Sequence, residues 1–140
     1  MNHEKYIVLL DPALAENGKP SDNLGDLIIS KSMVSILSDI FPDTEIIRFS
    51  PAADLDYKQK QLISKASYSF IGGSNLLFSS LRDYRQLLIR KGKLLWLFPG
   101  VKNMILLGPG WGEGYGHASS WKTRLFYKKI LSAQVRFVIK

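Results

Sequence analysis

Apolar residues along this chain fall in short unbroken runs that alternate with helical stripes. Tyr6-Ile7-Val8-Leu9-Leu10 is continuous and ends at Asp11-Pro12, which predicts a buried parallel strand followed by a turn. Residues 11–24 are rich in Asp, Asn, Gly, Pro and Ser and form a loop that is long for such a unit. From Asp26 the period becomes helical, with Ile29, Met33, Ile36, Leu37 and Ile40 on one face, until Pro42 stops it. Glu45–Phe49 predicts a second strand, and a polar loop through Asp54 and Asp56 leads to a helix over Lys58–Lys65.

Tyr68-Ser69-Phe70-Ile71 predicts a third strand, closed by a Gly72-Gly73-Ser74-Asn75 turn. Leu76–Arg90 reads as mainly helical, and Leu94–Phe98 as more helix before Pro99-Gly100. Asn103–Leu107 is the next strand and runs into a loop, Gly108–His117. Ser119 or Ser120 caps a helix to about Leu131, and Val135–Ile139 is a final strand. This alternation predicts an α/β fold: a Rossmann-like parallel sheet with helices on both faces and right-handed crossovers.

A length of 140 residues fits a single domain spanning residues 1–140, able to bury a core. With no helix expected after the last strand, either that strand lies at a sheet edge or the domain is part of a larger architecture. The chain has no cysteine, which excludes disulfides, thiolate metal sites and a cysteine nucleophile. Its first apolar run is too short for a signal segment or a membrane span, so the expected compartment is the cytoplasm, with peripheral membrane association left open. A formal charge of +7 attracts anions, whether nucleic acid, anionic lipid or acidic metabolites. The cations cluster in Arg82–Lys93 and Lys122–Lys129, both read as helices with solvated faces.

In an open α/β sheet, ligands bind beyond the carboxyl ends of the strands. Three segments fall there: Asn23-Leu24-Gly25-Asp26, Gly72-Gly73-Ser74-Asn75 and Gly108–Gly116. Asn23 caps a helix whose first amides can hold an anion, Gly25 permits close backbone approach, and the Asp26 carboxylate suits a sugar hydroxyl or the first-turn amides. Gly72 and Gly73 are free of Cβ, and Ser74 and Asn75 can bond a hydroxyl or phosphate oxygen. Five glycines between Gly108 and Gly116 cost backbone entropy unless a ligand or close packing uses them. Neither the Walker loop nor a dinucleotide fingerprint is present. His117 is a candidate acid or base, Trp111 and Tyr115 suit stacking on a sugar face, and Trp96 and Trp121 are expected to pack on helix surfaces. No histidine and carboxylate pair has metal-ligand spacing, so no metal site is expected, and no Ser-His-Asp set can be drawn.

Asn23-Leu24-Gly25-Asp26 before an apolar helix, Phe70-Ile71-Gly72-Gly73-Ser74-Asn75-Leu76-Leu77, and Ile105-Leu106-Leu107-Gly108-Pro109-Gly110 resemble, in their order and spacing, the polysaccharide pyruvyl transferase family. A third glycine, common in the family, is replaced here by Ser74. The resemblance implies one lobe of a two-lobed B-type glycosyltransferase architecture. It also implies transfer of a pyruvyl group from phosphoenolpyruvate to a sugar, forming a ketal in exopolysaccharide or capsule biosynthesis. Only the amino-terminal, acceptor-side lobe is matched. The Arg-Asp that follows the last matched strand, and the arginine and histidine of the donor side, have no counterpart among these residues.

On this reading Asp26 and His117 are the candidate catalytic bases, and Asn23, Gly25, Gly72, Gly73, Ser74, Asn75, Gly108, Gly110 and Trp111 line the substrate side. No cofactor is expected, phosphoenolpyruvate being a substrate. The partner is a small-molecule or lipid-linked sugar acceptor, with a homo-oligomer or a second lobe completing the site and no nucleic acid, since no recognised motif accompanies the charge. The same fold would serve as a sugar-nucleotide glycosyltransferase lobe. A third reading is a non-catalytic module that binds acidic glycans through its basic helices.

Overall fold

The computed structural model describes residues 5–15, 17–77, 89–90, 93–94, 104–112 and 120–128. Strand β1 (Tyr6–Leu10), helix α1 (Leu24–Ile40), strand β2 (Glu45–Phe49), helix α2 (Tyr57–Lys65) and strand β3 (Tyr68–Leu77) follow in order. After them come the two-residue strands β4 (Ile89–Arg90) and β5 (Lys93–Leu94), strand β6 (Ile105–Trp111), and a helix over residues 121–128, here α3. Four strands form one parallel sheet in the order β2-β1-β3-β6. The fold is α/β and Rossmann-like, as the alternation predicts.

Every residue of β1 after Tyr6 is buried, because both faces of the sheet are covered. Ile7 and Leu9 point into a cluster with Leu37 of α1 and Phe70 of β3. Val8 and Leu10 point the other way, to Ile63 of α2 and Phe126 and Tyr127 of α3. Helices on opposite faces follow from the strand order. The connection β1 to β2 runs one way along the sheet and β2 to β3 runs back across β1, so two crossovers of the same hand must lie on opposite faces.

Local chemistry sets the helix starts. Asn23 caps α1, its Oδ1 accepting the Gly25 N–H at 2.9 Å. Asp56 and Gln59 form a reciprocal capping box on α2, with bonds of 2.8 and 2.9 Å. Ser120 caps α3 by accepting the Thr123 N–H at 3.2 Å.

The two glycine segments differ from their expected form. Gly72-Gly73-Ser74-Asn75 is not a turn, and Gly108-Pro109-Gly110 is not a loop: β3 runs through the first to Leu77, and β6 through the second to Trp111. They pair with each other, Gly72 opposite Leu107, Ser74 opposite Pro109 and Asn75 opposite Gly110. Pairing of β1 with β3 ends at Leu10 and Ile71, so Gly72–Leu77 projects past β1 by about 20 Å at the rise of a strand. Glycine marks a strand where another backbone comes close, and here that reason outweighs its use in turns.

Helical expectation also fails at both ends of Leu76–Arg90. Leu76 and Leu77 belong to β3, and Ile89–Arg90 pairs antiparallel with Lys93–Leu94. Residues 78–88, 95–103 and 129–140, including the expected strand Val135–Ile139, lie outside the described residues.

A Cβ placed on Gly73 would sit 2.7 Å from the Gly108 carbonyl oxygen, a backbone atom, whereas one on Gly25 would meet only its own cap, Asn23 Oδ1, at 3.2 Å. Gly73→Ala is therefore expected to cost about 1–3 kcal/mol by overpacking. Gly25→Ala should stay within about 0.5 kcal/mol, helix propensity offsetting the tightened cap. Urea unfolding of the two variants checks this; equal costs would contradict the packing described.

Candidate functional site

Asp11 follows β1 and is 0% exposed, so its charge needs partners inside the protein. Its Oδ1 accepts the Ala13 N–H at 2.9 Å. Its Oδ2 accepts the Ser30 hydroxyl at 2.9 Å and the Arg48 Nε–H at 2.6 Å. Arg48 also donates from Nη2 to Ser30 Oγ at 3.2 Å, and the Asp11 amide donates to the Phe49 carbonyl at 2.8 Å. One carboxylate thus ties the end of β1 to the second turn of α1 and to β2.

The loop after Asp11 is folded by its own hydrogen bonds. Leu14 bridges Pro20, Gly18 takes a positive φ of 76° at the tip, and Ser50 Oγ donates to the Leu14 carbonyl at 2.8 Å. The loop returns to α1 through Ser21, whose amide donates to the Ala13 carbonyl at 2.7 Å. Ser21 Oγ accepts the Asn23 N–H at 3.2 Å and donates to Asp26 Oδ2 at 3.3 Å. Asn23 is exposed and Asp26 half-buried, both at the first turn of α1.

Strand order reverses between β1 and β3, which is the switch point where open α/β sheets take ligands. The Asn23-Leu24-Gly25-Asp26 helix and the two glycine segments meet on the β3 side of it. A Cβ on Gly72 would lie 2.5 Å from Met33 Cε and 2.8 Å from Pro12 Cδ; on Gly73 it would meet Gly108 O and, at 3.3 Å, Ile29 Cγ2. Gly108 has a φ of 66°, which glycine adopts without strain. Absence of side chains at 72 and 73 lets α1 and β6 seat directly on β3.

A family model for polysaccharide pyruvyl transferase matches residues 23–138. The chain belongs to the polysaccharide pyruvyl transferase family. The family match opens on Asn23, the cap of α1, and takes in both glycine segments. No curated protein and no solved structure matches the chain.

Of the candidate site residues expected from the sequence, Asn23, Gly25 and Asp26 lie at the first turn of α1. Gly72 and Gly73 are buried at the α1–β3 contact, and Ser74, Asn75, Gly108, Gly110 and Trp111 lie on the paired extension of β3 and β6. His117 and Tyr115 lie outside the described residues. Asp11, Ser30 and Arg48 were not singled out by sequence. The faint signal for them is a serine at the buried face of an apolar helix, in register with Met33 and Leu37, and one charge inside the strand Glu45–Phe49.

Arg48→Ala leaves a fully buried carboxylate with only a hydroxyl and an amide, and should cost about 3 kcal/mol, near the low end for broken buried pairs because the guanidinium is 40% exposed. Asp11→Asn lets Arg48 return to water and should cost about 1–3 kcal/mol. The double variant should cost less than the sum, with a coupling of at least about 0.5 kcal/mol, in a urea double-mutant cycle. Strict additivity would mean that the pair does not act as a unit.

Proposed function

We propose that the chain is the acceptor-side lobe of an enzyme that transfers a pyruvyl group from phosphoenolpyruvate to a sugar in exopolysaccharide or capsule assembly in the cytoplasm. The observation that carries this reading is the family match over residues 23–138, which takes in the cap of α1 and both glycine segments, with α1 seated on Gly72 and Gly73 through Met33 and Ile29.

The reaction sets what such a lobe must do. A ketal needs two hydroxyls of one sugar. The first adds to C2 of the enol, and the methylene carbon takes up a proton to become a methyl; the second displaces phosphate from C2 and gives up its proton as phosphate leaves. The acceptor side must therefore hold two hydroxyls in ring-closing geometry and remove a proton from the attacking one. Asp26 takes the role of base. Its present hydrogen bond to Ser21 is long, 3.3 Å, and a sugar hydroxyl can replace it at little cost. His117 is the second candidate base.

Asn23 and Gly25 hold the first turn of α1 in place. The paired extension carrying Gly73, Ser74, Asn75, Gly108, Gly110 and Trp111 takes the role of a substrate-side wall. Phosphoenolpyruvate is bound by a donor side supplied by a second lobe or a second chain. The acceptor is a small or lipid-linked sugar.

Saturation-transfer NMR of the full chain with methyl hexosides that keep their 4- and 6-hydroxyls free tests the assignment. Binding is expected, about tenfold weaker in Asp26→Asn, as for loss of a hydrogen bond to a charged group. Methylation of those hydroxyls should abolish it, and phosphoenolpyruvate should not compete. Binding of a nucleotide sugar with none of a hexoside would instead make the chain a glycosyltransferase lobe.

A further inference from the structure

Among the described residues, the helices on the two faces of the sheet differ sharply in charge. On one face, α1 carries Asp26 and Asp39 against Lys31. On the other, α2 and α3 carry Lys58, Lys60, Lys65, Lys122, Arg124 and Lys128, with no Asp or Glu within either helix. The acids that precede α2 are Asp54 and Asp56, the latter engaged in the capping box.

On α3 these cations accompany apolar side chains that face water. Trp121, expected to pack on a helix surface, is 70% exposed, and Leu125, one turn further on, is 60% exposed. Lys128 falls in the same row, while Lys122 and Arg124 flank it, by the helical period. Thr123, Phe126 and Tyr127 are buried, which fixes that row as the outer one. Lys122 Nζ lies 5.6 Å from the Trp121 ring centroid, so the cation and the aromatic share one patch. On α2, Lys58 and Lys65 are two turns apart and exposed, opposite the buried Ile63.

Cations around an exposed tryptophan and leucine suit one kind of partner. An anionic bilayer surface offers phosphates to the lysines and an acyl boundary to the two apolar side chains. A nucleic acid would use the cations but has no use for Leu125. No described helix is long and apolar enough to cross a membrane, so the contact is with the surface. We propose that the face built by α2 and α3 docks on an anionic phospholipid membrane, with Trp121 and Leu125 entering the headgroup region and the lysines of both helices over the lipid phosphates.

Flotation of the full chain with vesicles of phosphatidylcholine, alone or mixed equally with phosphatidylglycerol, tests it. Binding is expected to the mixed vesicles only and should fall with added salt. Lys122→Glu with Lys128→Glu should weaken it at least about tenfold, as should Lys58→Glu with Lys65→Glu. Trp121→Ser should weaken it severalfold at constant charge. All five positions are exposed, and unchanged urea midpoints exclude unfolding as the cause. Equal binding to both vesicles, or none, overturns the proposal. So does vesicle binding indifferent to Trp121→Ser combined with lysine-dependent binding of single-stranded RNA, which would make the face a nucleic-acid surface.

Discussion

Asp11 has no solvent with which to share its charge, so folding must supply its partners, and they come from three elements: the backbone at Ala13, Ser30 of α1 and Arg48 of β2. The desolvation cost of a buried carboxylate makes these contacts obligatory together. Once they form, the angle at which the chain leaves β1, the seating of α1 and the alignment of β2 are no longer independent. Loop 11–23 and the first turn of α1 inherit their positions from that clamp, through Ser21 and its bonds to Ala13, Asn23 and Asp26.

The second constraint is steric. Glycines at 72 and 73 leave room that Met33, Pro12, Ile29 and the Gly108 carbonyl fill, and at Gly73 the backbone of β6 comes closer than a Cβ would allow. Polar clamp and close packing act on the same stretch of the helix, Ser30 taking the first and its neighbours Ile29 and Met33 the second. Together they place the motifs shared with the family on a single edge, although those motifs lie far apart in sequence.

Much of the architecture was legible in the residues. A continuous apolar run gave β1 with its observed bounds, because a strand covered on both faces has no polar positions to interrupt it; β2, at the end of the sheet order, was legible as a short β-branched and aromatic run between turn residues although Glu45 and Arg48 interrupt it. Asn23 was legible as a cap, and Ser120 as one of two adjacent serines that could cap α3, because capping is local chemistry. The extensions of β3 and β6 were not, since glycine and proline favour turns and nothing nearby in sequence shows that another backbone must pass there. Asp11 was hidden for a related reason: its side-chain partners lie 19 and 37 residues away, and an aspartate before proline at a strand end reads as an ordinary turn. Within the candidate site, Asp26 and Asn23 could be named from sequence, but their link through Ser21 depends on how the loop folds back.

The account rests on the glycine segments being paired strands that wall the site, rather than loops awaiting a ligand. Amide hydrogen exchange followed residue by residue by NMR on the unliganded chain addresses that directly. Slow exchange at the amides of Gly72–Leu77 and residues 107–111 that face the partner strand, far slower than at the Gly18 tip, is the predicted result. Exchange in those segments as fast as at Gly18 would contradict the paired extension and, with it, the placement of the site.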